Sequence, residues 1–237
     1  MYSNKIAIIV AGGTGQRMGS VLPKQFLEIQ GKAILLHTID QFTAAFADIQ
    51  LVIVLPATYI EEGSILLQKN GYTKNVELVE GGETRFQSVK NGLSKVSESS
   101  IVFVHDAVRC LLTPALIQRC YQQAFEKGSA IPAVSATDSV RIVNGDQNSV
   151  LDREQVMLIQ TPQTFQSDIL LDAFKQPYTS LFTDEANVVE ANGGKVYLVD
   201  GEFENIKITR PLDLAIAEHI LSKRFQEKSL KAPTSLR

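Results

Sequence analysis

Residues near the start of the chain have the types and spacing of a phosphate-binding loop. The segment Ala11-Gly12-Gly13-Thr14-Gly15 follows a short apolar run, Ile6 to Val10. Its glycines allow a sharp turn and a close approach to a ligand, and gathered backbone N–H groups form an anion pocket. Arg17 then supplies a forked cation, and Lys24, just after Pro23, supplies a movable point charge. We interpret this stretch as a cradle for phosphate groups, and an ordinary glycine-rich turn is the alternative.

This loop matches neither of the two best-known phosphate-binding motifs. A Walker loop needs Gly-Lys-Ser/Thr, which the sequence lacks. A dinucleotide-binding fingerprint that starts at Gly13 would have Met18 in place of its last glycine. The second apolar run, Leu51 to Leu55, ends in Pro56 and not in the acidic residue that a dinucleotide site needs.

Two further groups of polar residues follow apolar runs in the middle of the chain. Gly81-Gly82 precedes a predicted helix near Thr84, where backbone groups can face a flat base; a turn with a helix cap is the alternative. Asp106 lies where a predicted strand ends, a suitable place for one Mg²⁺ ligand. Arg109 can bind an anion or pair with Asp106. His105 has no partner at metal-ligand spacing, so we interpret it as a structural histidine.

Two more groups follow in the second half of the chain. Thr161-Pro162-Gln163 comes after a strand-like run, and Thr183-Asp184 comes later, where a simple helix cap is one interpretation. Lys207 lies between two isoleucines, which favours a lysine directed at a phosphate over an exposed edge lysine. Because ligands of open α/β sheets bind at the carboxyl ends of the strands, we expect all these groups to share one edge with the glycine loop.

Strand-like and helix-like segments alternate along the chain, which predicts an α/β fold with a mostly parallel sheet flanked by helices. One segment differs: Asp138 to Glu154 has Asn144-Gly145-Asp146 between short apolar runs, which is typical of an inserted β-hairpin. We call residues 138–154 the arm. We predict a single domain over residues 1–227 that includes the arm, a closing helix from Pro211 to Arg224, and a flexible tail at 228–237.

Composition narrows the class of protein. The chain has 237 residues, a net charge of −3 and an ordinary share of hydrophobic residues, so a nucleic-acid backbone is an unexpected partner. The two cysteines, Cys110 and Cys120, form no metal-binding spacing and no disulfide framework. No apolar run is long enough to span a membrane, and Met1 to Lys5 lacks a signal-peptide pattern. We therefore expect a cytoplasmic enzyme or binding protein for a small anionic ligand.

Taken together, the motifs resemble those of the 2-C-methyl-D-erythritol 4-phosphate cytidylyltransferases. They occur in the family's order from residue 6 to about 218. The matching stretches are A-G-G-T-G-Q-R-M-G, P-K-Q-F, G-G-E-T-R with a later Ser, H-D-A-V-R, D-R-E, T-P-Q-T-F, T-D-E-A and N-I-K-I-T-R-P-L-D-L.

The resemblance implies a Rossmann-like nucleotidyltransferase fold and cytidylyl transfer from CTP to 2-C-methyl-D-erythritol 4-phosphate, with Mg²⁺ and release of pyrophosphate. It also implies a homodimer in which the arm reaches the neighbouring subunit. The implied site residues are Ala11, Gly12, Gly13, Thr14, Gly15, Arg17, Lys24 and Lys207 for phosphates, Gly82, Glu83 and Ser88 for cytosine, Asp106 for Mg²⁺ and substrate with Arg109 beside it, Thr161 and Thr183 for the sugar phosphate, and Ser139 and Arg153 from the partner's arm.

The sequence departs from the family pattern at a few positions. Cys110 replaces the usual proline, Ser139 the common threonine, and Arg141 a nearby lysine. The ribitol 5-phosphate cytidylyltransferases share several motifs, including T-P-Q-T-F, and form the second hypothesis. D-R-E and T-D-E-A are closer to the methylerythritol group. A nucleotide-sensing module of the same fold, without turnover, is the third hypothesis.

Overall fold

The structure is a computed structural model that describes residues 2, 4–12, 23–97 and 99–231, with side chains as far as residue 227. The strands are β1 (Asn4–Val10), β2 (Glu28–Ile29), β3 (Lys32–Ala33), β4 (Gln50–Leu55), β5 (Val76–Glu80), β6 (Ser100–Asp106), β7 (Ser129–Ser135), β8 (Val140–Asn144), β9 (Gln147–Leu151), β10 (Met157–Ile159), β11 (Gln163–Gln166) and β12 (Leu198–Asp200). The helices are α1 (Ile34–Ala45), α2 (Ile60–Lys69), α3 (Arg85–Leu93), α4 (Pro114–Lys127), α5 (Ser167–Ala173), α6 (Glu185–Ala191) and α7 (Pro211–Lys231).

One eight-stranded sheet organises the described chain, in the order β10-β7-β11-β6-β1-β4-β5, with β12 beside β7. The central strands β1, β4 and β6 are parallel neighbours and are apolar on both faces, as expected for strands covered by helices. Phe42 of α1 and Leu116 of α4 pack on one face of the sheet, and Phe86 of α3 and Val188 of α6 pack on the other. The predicted α/β fold with a mostly parallel sheet is confirmed.

Side-chain caps fix three helix starts close to the positions that the sequence indicates. Thr84, Thr113 and Asp184 each accept a hydrogen bond from a backbone N–H in the first turn, at 2.9–3.1 Å. At the other end of the chain, α7 continues past the predicted end at Arg224, so residues 228–231 of the predicted tail are helical. No helix in the part of the chain that the structure describes is long and apolar enough to cross a membrane.

Two features of the strand arrangement were not predicted. β11 lies between β6 and β7 and is antiparallel to both, whereas no strand was predicted at these residues. The β2–β3 hairpin was also missed; its turn contains Gln30 and Gly31, both with positive φ. In contrast, the predicted hairpin of the arm is present as β8 paired with β9, turning at Gly145.

Candidate functional site

A cavity of about 340 Å³ opens at the carboxyl ends of β1 and β6, the edge where the sequence places the ligand. A larger hollow of about 520 Å³ lies around Tyr178 and Phe182, but among the described residues no charged side chain lines it. The smaller cavity therefore has the chemistry expected of a phosphate site. Of the predicted site residues, it is lined by Ala11, Gly12, Lys24, Gly82, Glu83, Ser88, Asp106 and Lys207. Gly13, Thr14, Gly15 and Arg17 lie outside the described residues.

Gln25 joins the start of the glycine loop to the segment that carries Lys24. Its side chain is 1% exposed, and its Nε2 donates a hydrogen bond to the carbonyl of Ala11 at 2.7 Å. Lys24 Nζ in turn donates to the carbonyl of Thr209 at 3.0 Å. Gln25 lies in the P-K-Q-F motif, but the sequence alone indicates no role for it, because its partner Ala11 is distant in the chain.

The segment that carries Lys207 is held by the two residues that follow that lysine. The N–H of Ile208 donates to the carbonyl of Val108 at 3.0 Å. Asp213, in the first turn of α7, accepts hydrogen bonds from the N–H and hydroxyl of Thr209 at 2.7 and 2.9 Å. The backbone beneath Lys207 is therefore fixed, whereas its side chain is 44% exposed and reaches into the cavity.

Ser88 shapes the loop that is predicted to face the base. Its hydroxyl donates to the carbonyl of Thr84 at 2.9 Å and accepts the N–H of Gly82 at 3.1 Å. A Cβ on Gly82 would lie 2.1 Å from the Cγ of Gln87, so a larger residue there requires a shift. Ser88 is itself buried, whereas Gly82 and Glu83 are exposed at the rim of the cavity. The loop therefore presents backbone groups and Glu83 to a ligand.

Asp106 is surrounded by cations. Its Oδ2 lies 2.8 Å from Lys207 Nζ and 3.7 Å from Arg109 Nε, and its Oδ1 lies 3.5 Å from Arg85 Nε. Burial alone would raise the pKa of Asp106, but the charges of Arg85, Lys207 and Arg109 outweigh it and hold that pKa well below its usual range. The carboxylate is therefore ionised at neutral pH and directed at the positive side of the cavity.

Arg85 is bound in turn by a second carboxylate. Its guanidinium donates to both oxygens of Glu185, at 2.5 and 3.1 Å, and the Glu185 side chain is 1% exposed. Burial raises the pKa of Glu185 and the charge of Arg85 opposes that shift, while the forked contact is the geometry of an ionised carboxylate. Both residues lie in the motifs G-G-E-T-R and T-D-E-A, but the sequence alone does not indicate that they pair.

Thr161, His105 and Arg109 form the layer behind Asp106. His105 Nε2 lies 3.2 Å from the Arg109 carbonyl; since a carbonyl only accepts, we assign the proton to Nε2. The Thr161 hydroxyl then donates to His105 Nδ1 at 2.9 Å and accepts the N–H of Asp106 at 3.2 Å. Burial lowers the pKa of His105 to about 3. Arg109 donates to the Asn205 carbonyl at 2.9 Å, so this layer fixes Asp106 and does not line the cavity.

The remaining predicted residues lie away from the cavity of this chain. Thr183 is exposed and donates to Asn187 Oδ1. Ser139 and Arg153 belong to the arm, where Arg153 donates to the carbonyl of Thr137 at 3.2 Å. Their roles toward a sugar phosphate stay predictions.

Comparison with known proteins identifies the family. The family model described as 2-C-methyl-D-erythritol 4-phosphate cytidylyltransferase matches residues 5–223. The chain belongs to this family. A relative of that name from Bacteroides fragilis is 42% identical over 217 residues, which span 92% of this chain and 99% of the relative. A relative of the same name from Alkaliphilus oremlandii is 38% identical, over 94% of this chain and 97% of its own length.

Solved structures agree with this assignment. The chain matches a 4-diphosphocytidyl-2C-methyl-D-erythritol synthase from Anaerococcus prevotii with a TM-score of 0.80 at 26% identity, covering 94% of this chain and all of the other. It matches a 2-C-methyl-D-erythritol 4-phosphate cytidylyltransferase from Francisella tularensis with a TM-score of 0.75 at 31% identity, covering 92% of this chain and all of that one. The predicted membership of the 2-C-methyl-D-erythritol 4-phosphate cytidylyltransferase family is confirmed.

The donor set of the cavity also bears on the predicted Mg²⁺. Among the residues that the structure describes, no three His, Cys, Asp or Glu side chains cluster closely enough to hold a metal by themselves. Asp106 offers one ionised carboxylate at the cavity wall. Mg²⁺ can be bound by one carboxylate together with oxygens of the substrate phosphates. Asp106 therefore suits Mg²⁺ that enters the cavity bound to a nucleotide.

Proposed function

We propose that this member of the 2-C-methyl-D-erythritol 4-phosphate cytidylyltransferase family transfers a cytidylyl group from CTP to 2-C-methyl-D-erythritol 4-phosphate. The products are 4-diphosphocytidyl-2-C-methyl-D-erythritol and pyrophosphate, a step in non-mevalonate isoprenoid precursor synthesis. The observation that supports the proposal is the meeting of Lys24, Lys207 and Asp106 in one cavity beside Ala11 and Gly12, the first two residues of the glycine loop. These residues come from separate segments, and their convergence suits a triphosphate.

The transfer needs no nucleophilic side chain. A phosphate oxygen of the sugar phosphate attacks the α-phosphorus of CTP, a new P–O bond forms, and the bond to the β-phosphate breaks as pyrophosphate leaves. The obstacles are repulsion between two polyanions and the charge that grows around the α-phosphorus. Lys24 and Lys207, with Arg17 as predicted from the sequence, supply positive charge, and the loop from Ala11 to Gly15 supplies N–H groups.

Cytosine selection is proposed for the loop around Gly82. Gly82 and Glu83 are exposed at the rim of the cavity, and Ser88 fixes the shape of this loop from below by accepting the Gly82 N–H. Backbone donors and acceptors at fixed positions can discriminate between bases, because a wrong base leaves them unpaired. Glu83 lines the same rim and is a further acceptor for an exocyclic amine.

Mg²⁺ is proposed as the cofactor, bound by Asp106 together with the nucleotide phosphates. When bound there it supplies charge stabilisation to the phosphates. Lys207 now occupies one Asp106 oxygen at 2.8 Å, and a phosphate that attracts Lys207 frees that oxygen.

We also propose a homodimer that places the arm of one subunit over the cavity of the other. Apolar side chains are exposed on the arm, including Val143 at 72% and Val150 at 70%, and β10 adds exposed Leu158. Exposed apolar groups of this kind favour burial against a protein partner. Neither Ser139 nor Arg153 lines the cavity of its own chain, which is consistent with a contribution of both residues to the site of a neighbouring subunit. Both substrates are phosphorylated metabolites of the cell interior, which favours the predicted cytoplasmic location.

One assay tests the substrate and the enzyme class together. Purified protein is given CTP, Mg²⁺ and either 2-C-methyl-D-erythritol 4-phosphate or ribitol 5-phosphate, and pyrophosphate release is followed. We expect release with the methylerythritol substrate at a kcat/KM at least about tenfold higher than with ribitol phosphate. A preference for ribitol phosphate would support the second hypothesis, that the chain is a ribitol 5-phosphate cytidylyltransferase. CTP binding without turnover on either substrate would support the nucleotide-sensing hypothesis.

A further inference from the structure

Glu185 is a buried charge that the proposed chemistry does not use. Its side chain is 1% exposed, and both carboxylate oxygens accept hydrogen bonds from Arg85, a residue on another helix. A buried ion pair is costly to desolvate, and an apolar pair of similar volume is often at least as stable. Stability alone is therefore a poor reason for the pair, and its position next to the cavity suggests another.

Arg85 connects Glu185 to the cavity. Its guanidinium lines the cavity and lies 3.5 Å from Asp106 Oδ1. The other two cations that contact Asp106 in the described residues are bound differently. Lys207 is 44% exposed on a flexible stem, and Arg109 is turned toward the Asn205 carbonyl at 2.9 Å. Arg85, by contrast, is held by two hydrogen bonds to a fixed carboxylate.

This difference matters once phosphates enter the cavity. Lys207 is the most mobile of the three cations and is drawn to the incoming negative charge. Asp106 then loses its shortest contact, at 2.8 Å, and needs another to keep its orientation. Arg85 retains its place because its partner Glu185 lies below the cavity, out of reach of the substrate.

We propose that Glu185 is a positioning residue that acts through Arg85 to hold the Asp106 carboxylate in its working orientation while Lys207 moves to the substrate phosphates. The inference rests on the proposed cytidylyl transfer and adds two residues to it. It makes the Glu185–Arg85 pair part of the catalytic geometry and not only of the fold.

The first test removes the charge of Glu185 and keeps its shape. Glu185→Gln should lower kcat about 10- to 100-fold, the loss typical of groups that orient a ligand-binding side chain. The KM for CTP should change less than about threefold, because Lys24 and the glycine loop remain. Glu204→Gln is the matched control, since Glu204 also accepts two hydrogen bonds from an arginine, Arg224, outside the cavity. That variant should turn over as the wild type does.

The second test separates positioning from stability. Arg85→Met combined with Glu185→Leu replaces the ion pair by apolar side chains and should retain the wild-type melting temperature to within a few degrees. A purely structural pair predicts normal kcat in this stable double variant. The proposal predicts a kcat at least about tenfold low, and a normal kcat would overturn it.

A double-mutant cycle gives an independent answer if the apolar variant folds poorly. Arg85→Lys keeps the charge and loses the fork, so it should lower kcat as Glu185→Gln does. Because Glu185 acts only through Arg85, the combined variant should be no slower than Arg85→Lys alone. Multiplied losses would overturn the proposal. An inactive wild type would reject the proposed function itself, whereas an active wild type with a fully active Glu185→Gln rejects only the positioning role.

Discussion

Two lysines reach the cavity from distant segments, and their contacts predict a role in the reaction and not in the fold. Lys207 contacts Asp106, and Lys24 contacts the Thr209 carbonyl. We expect Lys24→Ala and Lys207→Ala each to lower kcat about 10²- to 10³-fold, the usual loss when one charge-stabilising group is removed. Melting temperatures should stay close to that of the wild type. Steady-state pyrophosphate release and thermal unfolding measure the two effects.

The control for both variants is Lys175→Ala, which removes a surface lysine that pairs with Asp172, away from the cavity. It should leave kcat unchanged. Turnover close to normal in Lys24→Ala or Lys207→Ala would reject the role assigned to that lysine.

The layer behind Asp106 predicts a dependence of stability on pH. Burial lowers the pKa of His105 from 6.5 to about 3, so between these values the unfolded chain binds a proton that the folded chain does not. Stability is therefore lost as the pH falls, by roughly 1 kcal/mol for each pH unit between about 6 and 4. His105→Gln lacks this group. The difference in unfolding free energy between wild type and variant, from denaturant titrations without metal, should shrink as the pH falls; a constant difference would contradict the prediction.

At the residue scale, the sequence shows which groups can do chemistry but not which groups hold them. Asp106 could be predicted as a site residue because it is a charged residue directly after a predicted strand. Lys207 could be predicted because it is a charged residue between two isoleucines. Glu185 could not be selected, because its partner Arg85 is 100 positions away and only the fold brings them together. Gln25 is similar, since an amide beside a lysine gives no sign of burial until its partner Ala11 is known.

At the element scale, α3 depends on a close approach to the sheet. A Cβ on Gly92 would lie 2.7 Å from Ile8 Cγ2 and 3.1 Å from Val54 Cγ2, both on rigid strands. Gly92→Ala should therefore push α3 outward and lower the free energy of unfolding by about 1–3 kcal/mol. Because α3 carries Arg85 and Ser88, the KM for CTP should rise as well.

Lys90→Ala changes the exposed side of the same helix and is the control for this prediction. It should leave both the unfolding free energy and the KM for CTP unchanged. A Gly92→Ala variant with normal stability would show that the sheet adjusts, and the assumed rigidity of β1 and β4 would be wrong.

Local sequence patterns predict some of the strands and helices but not others. β1, β4 and β6 are long apolar runs between turn signals, and the caps Thr84 and Thr113 mark helix starts by their own chemistry. β11 has only four residues, Gln163–Gln166, and three of them are polar, so no apolar run marks it as a strand even though its first three residues are buried. Its antiparallel position follows from long-range pairing with β6 and β7, which no local pattern encodes.

At the scale of the whole molecule, the predicted site residues of one chain do not all meet in its own cavity. The cavity gathers phosphate-binding groups, but the predicted sugar-phosphate residues Ser139 and Arg153 lie on an arm that does not line it. If the arm serves a neighbouring subunit, Arg153→Ala should chiefly raise the KM for the sugar phosphate and leave the KM for CTP near normal. A higher KM for CTP instead would show that the proposed division of the site is wrong.

A mixture of two defective chains tests this arrangement directly. Arg153→Ala changes only the arm, and Lys207→Ala changes only the cavity. In a mixed dimer, the intact cavity of the Arg153→Ala chain therefore meets the intact arm of the Lys207→Ala chain, which gives one complete site. Random pairing of coexpressed chains should recover about a quarter of wild-type activity at low sugar phosphate, since half the dimers are mixed and each has one complete site. Coexpressed Lys24→Ala and Lys207→Ala, which both damage the cavity, should recover nothing. No recovery in the first mixture would place the arm over its own cavity, and equal recovery in both mixtures would show that recovery does not depend on the arm; either result would refute the shared site.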